Sequence, residues 1–363
     1  MNKICRFLNI ISLFLILLVC SSGMANAQRV KFEKVKIPLP PDITSPVRLN
    51  DNEIYFLGGR TSQNCRIFYT VKVYKIKEHK FVDLYSMMNV ARYGYGSIPY
   101  DENHILILGG MCMWNENCSS IAEIYDKRTN KFTRISNSNN EYPWGGVHFL
   151  LENGEVLLYN GLEFEKFNPT TQKFTVLMGK DNQPLETDDY IPADRMQLVG
   201  KDKVLIYSYG YMRDGEAAVL NLKTLEIMDI PGSDLFEDAY VPAPVLIDDD
   251  TLLFVGVGYN SKRVVSLRIS DGTYHDYGEV LKKRINGFDS LLLDNNRILL
   301  AYGELNTTEF LWGYRIEHAI YDYKYNKITQ RKVFVELCSE AYGQSDAYIF
   351  KINDSKILYL MIF

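Results

Sequence analysis

A short aliphatic segment of β-strand character recurs seven times along this chain of 363 residues, and six of the seven copies end at or near a glycine. The copies begin at Ile54, Ile105, Val156, Val204, Leu252, Ile298 and Ile357. Consecutive copies start 51, 51, 48, 48, 46 and 59 residues apart. Because regular spacing of this length is typical of chains built from one repeated supersecondary unit, the sequence predicts a repeat architecture.

Each repeat contains short β-prone segments, and the four segments between residues 88 and 132 are the clearest. Turn signals separate those segments, at residues 101–103, at Gly109-Gly110 and at residues 127–130. An outer hairpin recurs in the same phase at residues 74–81, 125–132, 167–174, 220–227, 267–274 and 321–328. Four antiparallel strands per repeat fit one blade of a β-propeller, in which glycines permit close backbone approach near the axis. A β-sandwich with evenly spaced strands is the alternative.

The sequence AEIYDKRTNKF at residues 122–132 follows ILILGG, and an arginine stands at the start of the inner strands. This pattern resembles the kelch repeat, and it is closest to the secreted bacterial kind related to the central domain of galactose oxidase. The resemblance is strongest in the second repeat and weakest from the fourth to the seventh. It implies an all-β fold, a seven-bladed kelch-type β-propeller, with six blades plus a cap as the alternative. It implies no single activity, because kelch propellers serve both enzymes and binding proteins.

A propeller must protect its first and last strand edges. Residues 30–37 have an alternating pattern that ends at Pro38, and they precede the first full repeat. We expect this N-terminal strand to close the last blade as its outer strand, beside strands at residues 346–351 and 356–363. That assignment leaves the last blade one strand short of four.

The first 27 residues have the features of a secretory signal peptide. Lys3 and Arg6 precede an apolar run at residues 10–19, and a small-x-small pattern ends at Ala27. A run of about ten residues is too short to span a membrane as a helix. The sequence therefore predicts a signal peptide over 1–27 with cleavage between Ala27 and Gln28, and a single propeller domain over 28–363. The protein is predicted to be exported, as a periplasmic or secreted protein with no membrane span after signal removal.

Charge and cysteine content narrow the possible partners and cross-links. Without Lys3 and Arg6 the formal net charge goes from −5 to −7, and the chain has no basic run, so nucleic acid is not an expected partner. Export favours disulfides. Cys112 and Cys118 lie in one loop, and we predict that they pair. A bond from Cys65, or four free thiols, is the alternative.

One end of the predicted propeller collects aromatic and guanidinium side chains. The loops between second and third strands open there, as do the links between blades. The candidate ligand-binding residues in these segments are Arg60, Arg92, Trp114, Trp144, Arg195, Arg213, Arg284, Trp312 and Arg315. Aromatic rings and planar guanidinium groups suit sugars, carboxylates and protein hot spots. The alternative is structural, with the arginines bonded to loop carbonyls and Trp144 packed between blades.

The sequence favours a non-catalytic binding module for a glycan or an exported protein. Its five histidines do not share one rim, so no metal site is predicted, and no cofactor is predicted either. Motifs of serine hydrolases, phosphate-binding loops and zinc proteases do not occur in it. Two alternatives remain open. One is a metal-independent sugar epimerase or mutarotase that pairs Arg92, Arg195 or Arg284 with Asp189 or Glu304, and the other is a structural interaction scaffold.

Overall fold

Every regular element in the described part of the computed structural model is a β-strand. The structure describes residues 31–36, 46–60, 67–112, 118–187, 195–199, 202–207, 217–229, 244–257, 262–281, 286–294, 296–306, 313–338, 347–353 and 356–361. The described residues include no helix long and apolar enough to cross a membrane.

The strands form four-stranded antiparallel sheets, each built from strands that follow one another in sequence. After β1 (Lys31–Lys36), the first sheet contains β2 (Val47–Asn50), β3 (Glu53–Arg60), β4 (Ile67–Lys75) and β5 (Lys80–Met87). The next segment contains β6 (Arg92–Tyr93), β7 (Gly96–Pro99), β8 (His104–Leu108), β9 (Met111–Cys112), β10 (Ala122–Asp126) and β11 (Lys131–Arg134). The second sheet has the order β7-β8-β10-β11, while β6 and β9 pair separately at its end.

Four more sheets follow, and each keeps its strands in chain order. The third contains β12 (Val147–Leu150), β13 (Val156–Tyr159), β14 (Phe164–Asn168) and β15 (Lys173–Val176). The fourth contains β16 (Arg195–Val199), β17 (Lys203–Tyr207), β18 (Ala217–Asn221) and β19 (Glu226–Asp229). The fifth contains β20 (Val245–Leu246), β21 (Thr251–Val257), β22 (Arg263–Arg268) and β23 (Tyr274–Glu279). The sixth contains β24 (Asn286–Asp294), β25 (Arg297–Asn306), β26 (Gly313–Asp322) and β27 (Lys327–Cys338).

The recurring aliphatic segments form the second strand of each sheet. All seven of their first residues are completely buried, namely Ile54, Ile105, Val156, Val204, Leu252, Ile298 and Ile357. A strand covered on both faces needs apolar side chains at successive positions, which is why these segments are continuous rather than alternating. The predicted outer hairpins are confirmed as the third and fourth strands of the four-stranded sheets.

The sheets pack face to face around a common axis. The first strand of a sheet contacts the first strand of the next, as in β2 with β7, β7 with β12, and β12 with β16. Hydrophobic clusters then fill the space between neighbouring sheets, and one of them joins Ile54 and Tyr74 of the first sheet to Leu358 of the last. Radially arranged four-stranded sheets of this kind are the blades of a β-propeller.

The last sheet has three strands in the order β1-β29-β28, where β28 is Ala347–Asn353 and β29 is Lys356–Met361. β1 is parallel to β29, and Lys31 is opposite Lys356. In an antiparallel blade the fourth strand runs in the same direction as the second. If β1 has the direction of a fourth strand and no third strand lies between it and β29, the two strands must pair in parallel. The parallel pairing therefore agrees with the assignment of β1 as an outer strand in a blade that has three strands among the described residues.

His148 in β12 is expected to make the protein sensitive to acid. Burial lowers the pKa of its imidazole to about 4 from an ordinary value of 6.5, and its Nδ1 has no partner among the described residues. The unfolded chain therefore binds a proton between these two pH values when the folded chain does not. We expect unfolding free energy to fall by up to ~3 kcal/mol from this group as the pH drops from about 7 to about 4.

Urea denaturation at pH 7 and pH 4.5 or so would measure this effect. A His148→Gln variant should lose less stability than the wild type between the two pH values, because it has no imidazole to protonate. The exposed His275 supplies the control, since His275→Gln should keep the wild-type difference. An unchanged difference in His148→Gln would contradict the prediction.

Candidate functional site

The described residues place an aromatic and cationic group on the end of the propeller where the inter-blade links open. It consists of Arg60, Tyr93, Met111 and Trp144, and we call it the Trp144 platform. The Arg60 guanidinium carbon lies 4.7 Å from the centre of the Tyr93 ring. Tyr93 pairs with Met111 through β6 and β9. These contacts join the end of β3, the first link and the loop after β8 into one surface.

Trp144 is the most exposed member of the platform, with 68% of its surface accessible, and Met111 is 37% accessible. The indole lies against Gly94, where a Cβ atom would be 3.0 Å from its Cε3 atom. Tyr93 and Arg60 are half-buried. The side chain of Trp144 is thus supported from below by backbone and remains open to solvent. Its exposure differs from the alternative of a tryptophan packed between blades.

The two links that carry Tyr93 and Trp144 touch through their backbones. Gly145 has a φ of +77°, and a Cβ atom there would lie 2.2 Å from the amide nitrogen of Gly96. Only a residue without a Cβ permits both that dihedral angle and that approach. The glycine following Trp144 therefore fixes the distance between the second and third blades at this end.

A disulfide holds the loop beside the platform. Cys112 and Cys118 are bonded, with their Cα atoms 5.8 Å apart, as predicted. Cys112 is in β9 beside the strand that carries Tyr93, while Cys118 is buried. The cross-link ties both ends of the segment that includes Trp114, which itself lies outside the described residues. Cys65 also lies outside them.

Arg92, which the sequence predicts as a candidate ligand-binding residue at this end of the propeller, does not face solvent. It is completely buried. Its Nη1 donates to the carbonyl of Ile121 at 2.7 Å, and its Nη2 lies 3.2 Å from Glu123 Oε1. The carboxylate on β10 attracts the guanidinium into the blade, so Arg92 has the structural role weighed as the alternative. Burial lowers the pKa of Arg92 to about 10 in spite of this partner.

Glu123 was not singled out in the sequence, yet the equivalent acid recurs in the third blade. Glu165 accepts from the backbone NH of Asn139 at 2.8 Å and lies 3.1 Å from the hydroxyl of Tyr142. Tyr142 thus occupies the place that Arg92 has in the second blade. Burial raises the pKa of Glu165, and the partners that the described residues give its carboxylate are amide and hydroxyl donors rather than a cation. The sequence does contain a signal for the two glutamates, because an Asn-x-x-Arg motif precedes the inner strand of the second blade and an Asn-x-x-Tyr motif precedes that of the third.

The side chains of the other predicted ligand residues except Arg92 lie outside the described part of the structure. Trp114, Arg213, Arg284 and Trp312 lie outside the described residues, and so does Asp189. Arg195 begins β16, Arg315 lies in β26, and Glu304 lies in β25, and these three are described by backbone position alone. The structure therefore joins Arg60 and Trp144 and leaves the remaining residues as predictions.

Histidines are dispersed over the described part of the chain. His104 begins β8, His148 lies in β12, His275 in β23 and His318 in β26. Among the described residues, no three His, Cys, Asp or Glu side chains are grouped so that they could hold a metal ion.

Comparison with known proteins agrees with this architecture. A kelch motif matches residues 92–139. No curated protein matches the sequence. A solved structure described as a novel fungal alcohol oxidase with catalytic diversity among the AA5 family, in complex with copper, is similar with a TM-score of 0.53 and 11% identity. The match covers 81% of this chain and 65% of the oxidase, so the chain spans less than two thirds of that protein.

The likeness to the oxidase shows the fold, because sequence identity is too low to carry a site across. Copper belongs to that structure. The described residues of this chain contain no group of three His, Cys, Asp or Glu side chains that could supply the ligands of such a metal.

Proposed function

Because the chain is a kelch-repeat protein with a galactose oxidase-like β-propeller fold, we propose that it is a non-catalytic binding module that holds a glycan on the Trp144 platform. The observation that carries the proposal is the 68% exposed indole of Trp144 beside the stacked Arg60 and Tyr93 side chains. Aromatic side chains bury a large area at low cost in conformational entropy, which makes them effective anchors for a ligand.

The chemistry of the platform matches a sugar with apolar and polar faces. The exposed ring of Trp144 supplies an apolar plate, and Met111, which pairs with Tyr93, is also exposed. Arg60 is held over the Tyr93 ring, so its guanidinium is positioned before a ligand arrives.

We further propose that the propeller has seven blades and that β1 closes the ring in the last of them. The packing of Leu358 against Ile54 and Tyr74 supports closure, since it joins the last sheet to the first. The parallel pairing of β1 with β29 supports the role of β1 as a displaced outer strand. We also propose that the protein is exported and that its signal peptide is cleaved between Ala27 and Gln28. Sequencing the N-terminus of the secreted protein tests this cleavage site.

Binding to a panel of immobilised neutral and acidic glycans tests the function. We expect Trp144→Ala to weaken binding of the best glycan at least about tenfold, which is the effect of removing an exposed aromatic anchor. Tyr325→Ala is the matched control, because Tyr325 is 61% exposed but lies at an outer hairpin on the other end of the propeller. Unchanged binding by Trp144→Ala would refute the assignment of the site.

Further variants define how far the site extends and what class of function it has. Loss of binding in Trp114→Ala or Trp312→Ala would extend the platform to those loops. Capture of one exported protein that free glycans do not displace would favour a protein-binding module. Accelerated interconversion of sugar anomers would identify a mutarotase, and its loss in Arg195→Ala or Arg284→Ala would locate the reaction.

A further inference from the structure

A cavity of about 360 Å³ opens at the end of the propeller opposite the Trp144 platform. It lies between the second and third blades, where the turns from first to second and from third to fourth strands meet. The residues that decide its chemistry are Tyr100, Asp101, His104, Asp126, Thr170 and Gln172. None of them belongs to the platform, so the cavity is a separate feature of the molecule.

A chain of hydrogen bonds fixes the charged wall of the cavity. His104 Nδ1 lies 2.7 Å from Asp101 Oδ2, and Arg128 Nη2 lies 3.2 Å from His104 Nε2. Arg128 Nε in turn donates to Asp126 Oδ1 at 3.3 Å. A guanidinium only donates, so His104 accepts at Nε2 and donates from Nδ1 to Asp101. Both ring nitrogens of His104 are therefore already used.

Asp126 retains acceptor capacity. Its contacts within the described residues involve Oδ1, whereas its Oδ2 has no hydrogen-bond partner there. Burial favours a raised pKa, but hydrogen bonds from Arg128 hold the pKa of Asp126 below its usual value. Hydrogen bonds from His104 likewise lower the pKa of Asp101 against the effect of burial. Two ionised carboxylates beside one guanidinium leave the wall negative at neutral pH.

The remaining wall offers further acceptors. The hydroxyl of Thr170 and the side-chain carbonyl of Gln172 both accept hydrogen bonds. The Tyr100 ring is stacked on His104, with centroids 5.5 Å apart and an angle of 3° between the planes, and it meets the edge of Phe167. His104 therefore covers one face of the Tyr100 ring, and an anion that entered the cavity would meet two carboxylates.

We propose that this cavity binds a small primary ammonium group. An R–NH3⁺ group has three donors, and the residues that line the cavity supply acceptors for them in Asp126 Oδ2 and in the side chains of Thr170 and Gln172, while its charge offsets that of the wall. The volume admits the ammonium with a short aliphatic or hydroxylated substituent, such as an amino-alcohol or the end of a lysine side chain.

Calorimetric and NMR titration of the full chain with n-butylammonium tests the proposal. We expect saturable binding that n-butanol and butyrate do not reproduce, because both lack the cation. Asp126→Asn should weaken the binding at least about tenfold, as expected for a lost charge-assisted hydrogen bond. Asp83→Asn is the control, since Asp83 pairs with Lys72 in the first blade, far from the cavity in the fold.

Two further variants keep the outcome decisive. Thr170→Val removes an acceptor without touching the Arg128 network, and it should also weaken butylammonium binding even if Asp126→Asn proves unstable. Trp144→Ala should leave this binding unchanged, so the result is independent of the glycan proposal. Equal binding of butanol and butylammonium, no saturable binding of butylammonium, or full binding by Thr170→Val and Asp126→Asn would overturn the assignment.

Discussion

Glu123→Gln is expected to lower the free energy of unfolding by about 3–5 kcal/mol, because it leaves the buried Arg92 guanidinium without a counter-charge. Glu123 accepts from the backbone NH of Asn89 at 2.9 Å, from the Asn89 side chain at 2.8 Å and from the Val90 NH at 3.2 Å, in addition to contacting Arg92. A neutral amide cannot accept all of these bonds at once. The variant should therefore loosen the link between the first two blades as well as remove a charge.

Urea denaturation of the variant and of a control measures this effect. Glu102→Gln is a suitable control, because Glu102 is exposed in the turn before β8 and should change stability by less than about 0.5 kcal/mol. The double variant Arg92→Met with Glu123→Gln should be more stable than Glu123→Gln alone, since it removes the unpaired buried guanidinium while the amide oxygen introduced at position 123 still accepts from the backbone of Asn89 and Val90. A cost below about 1 kcal/mol for Glu123→Gln would show that the ion pair is not structurally important.

Gly109→Ala is expected to cost at least ~3 kcal/mol, which combines backbone strain with a steric clash. Gly109 has a φ of +66°, and a Cβ atom would lie 2.1 Å from the carbonyl oxygen of Tyr142. That carbonyl accepts from the NH of Gly110 at 2.9 Å, so it cannot move away without breaking the contact between the second and third blades. We expect a large fall in the denaturation midpoint and faster proteolysis of the second blade.

Gly154→Ala separates strain from the clash. Gly154 has a φ of +82°, but nothing lies within 4 Å of the position that its Cβ atom would occupy. Its substitution should cost only the ~1–2 kcal/mol of placing an L-residue in the left-handed region. If Gly109→Ala and Gly154→Ala lowered the free energy of unfolding equally, close backbone approach would not be the reason for the glycine at position 109.

Much of the fold follows from the sequence because its signals are local. The apolar run that starts at Ile105 and the hairpin over residues 125–132 can each be recognised within a few residues of sequence. Both form the predicted strands. The loop disulfide between Cys112 and Cys118 was also accessible, because the two residues are close in sequence. The parallel pairing of β1 with β29 was not, since it depends on which strand is missing at the far end of the chain.

The candidate site was only partly predictable for the same reason. Counting residues by loop placed Arg60, Arg92 and Trp144 at one end of the propeller, but it could not tell a charged side chain that faces solvent from one that faces a partner. Arg92 is neutralised by Glu123, which lies 31 residues later on a different strand. Arg60 lies over the Tyr93 ring, and both side chains are half-buried.

The amino-acid sequence by itself determined the unit of this protein, a four-stranded sheet with a fully apolar second strand, because burial on both faces dictates residue type at successive positions. Only the tertiary structure decided which polar side chains are available to a ligand. Availability depends on pairwise contacts between blades, and the distances that control electrostatic and hydrogen-bond energies are set by folding rather than by separation along the chain.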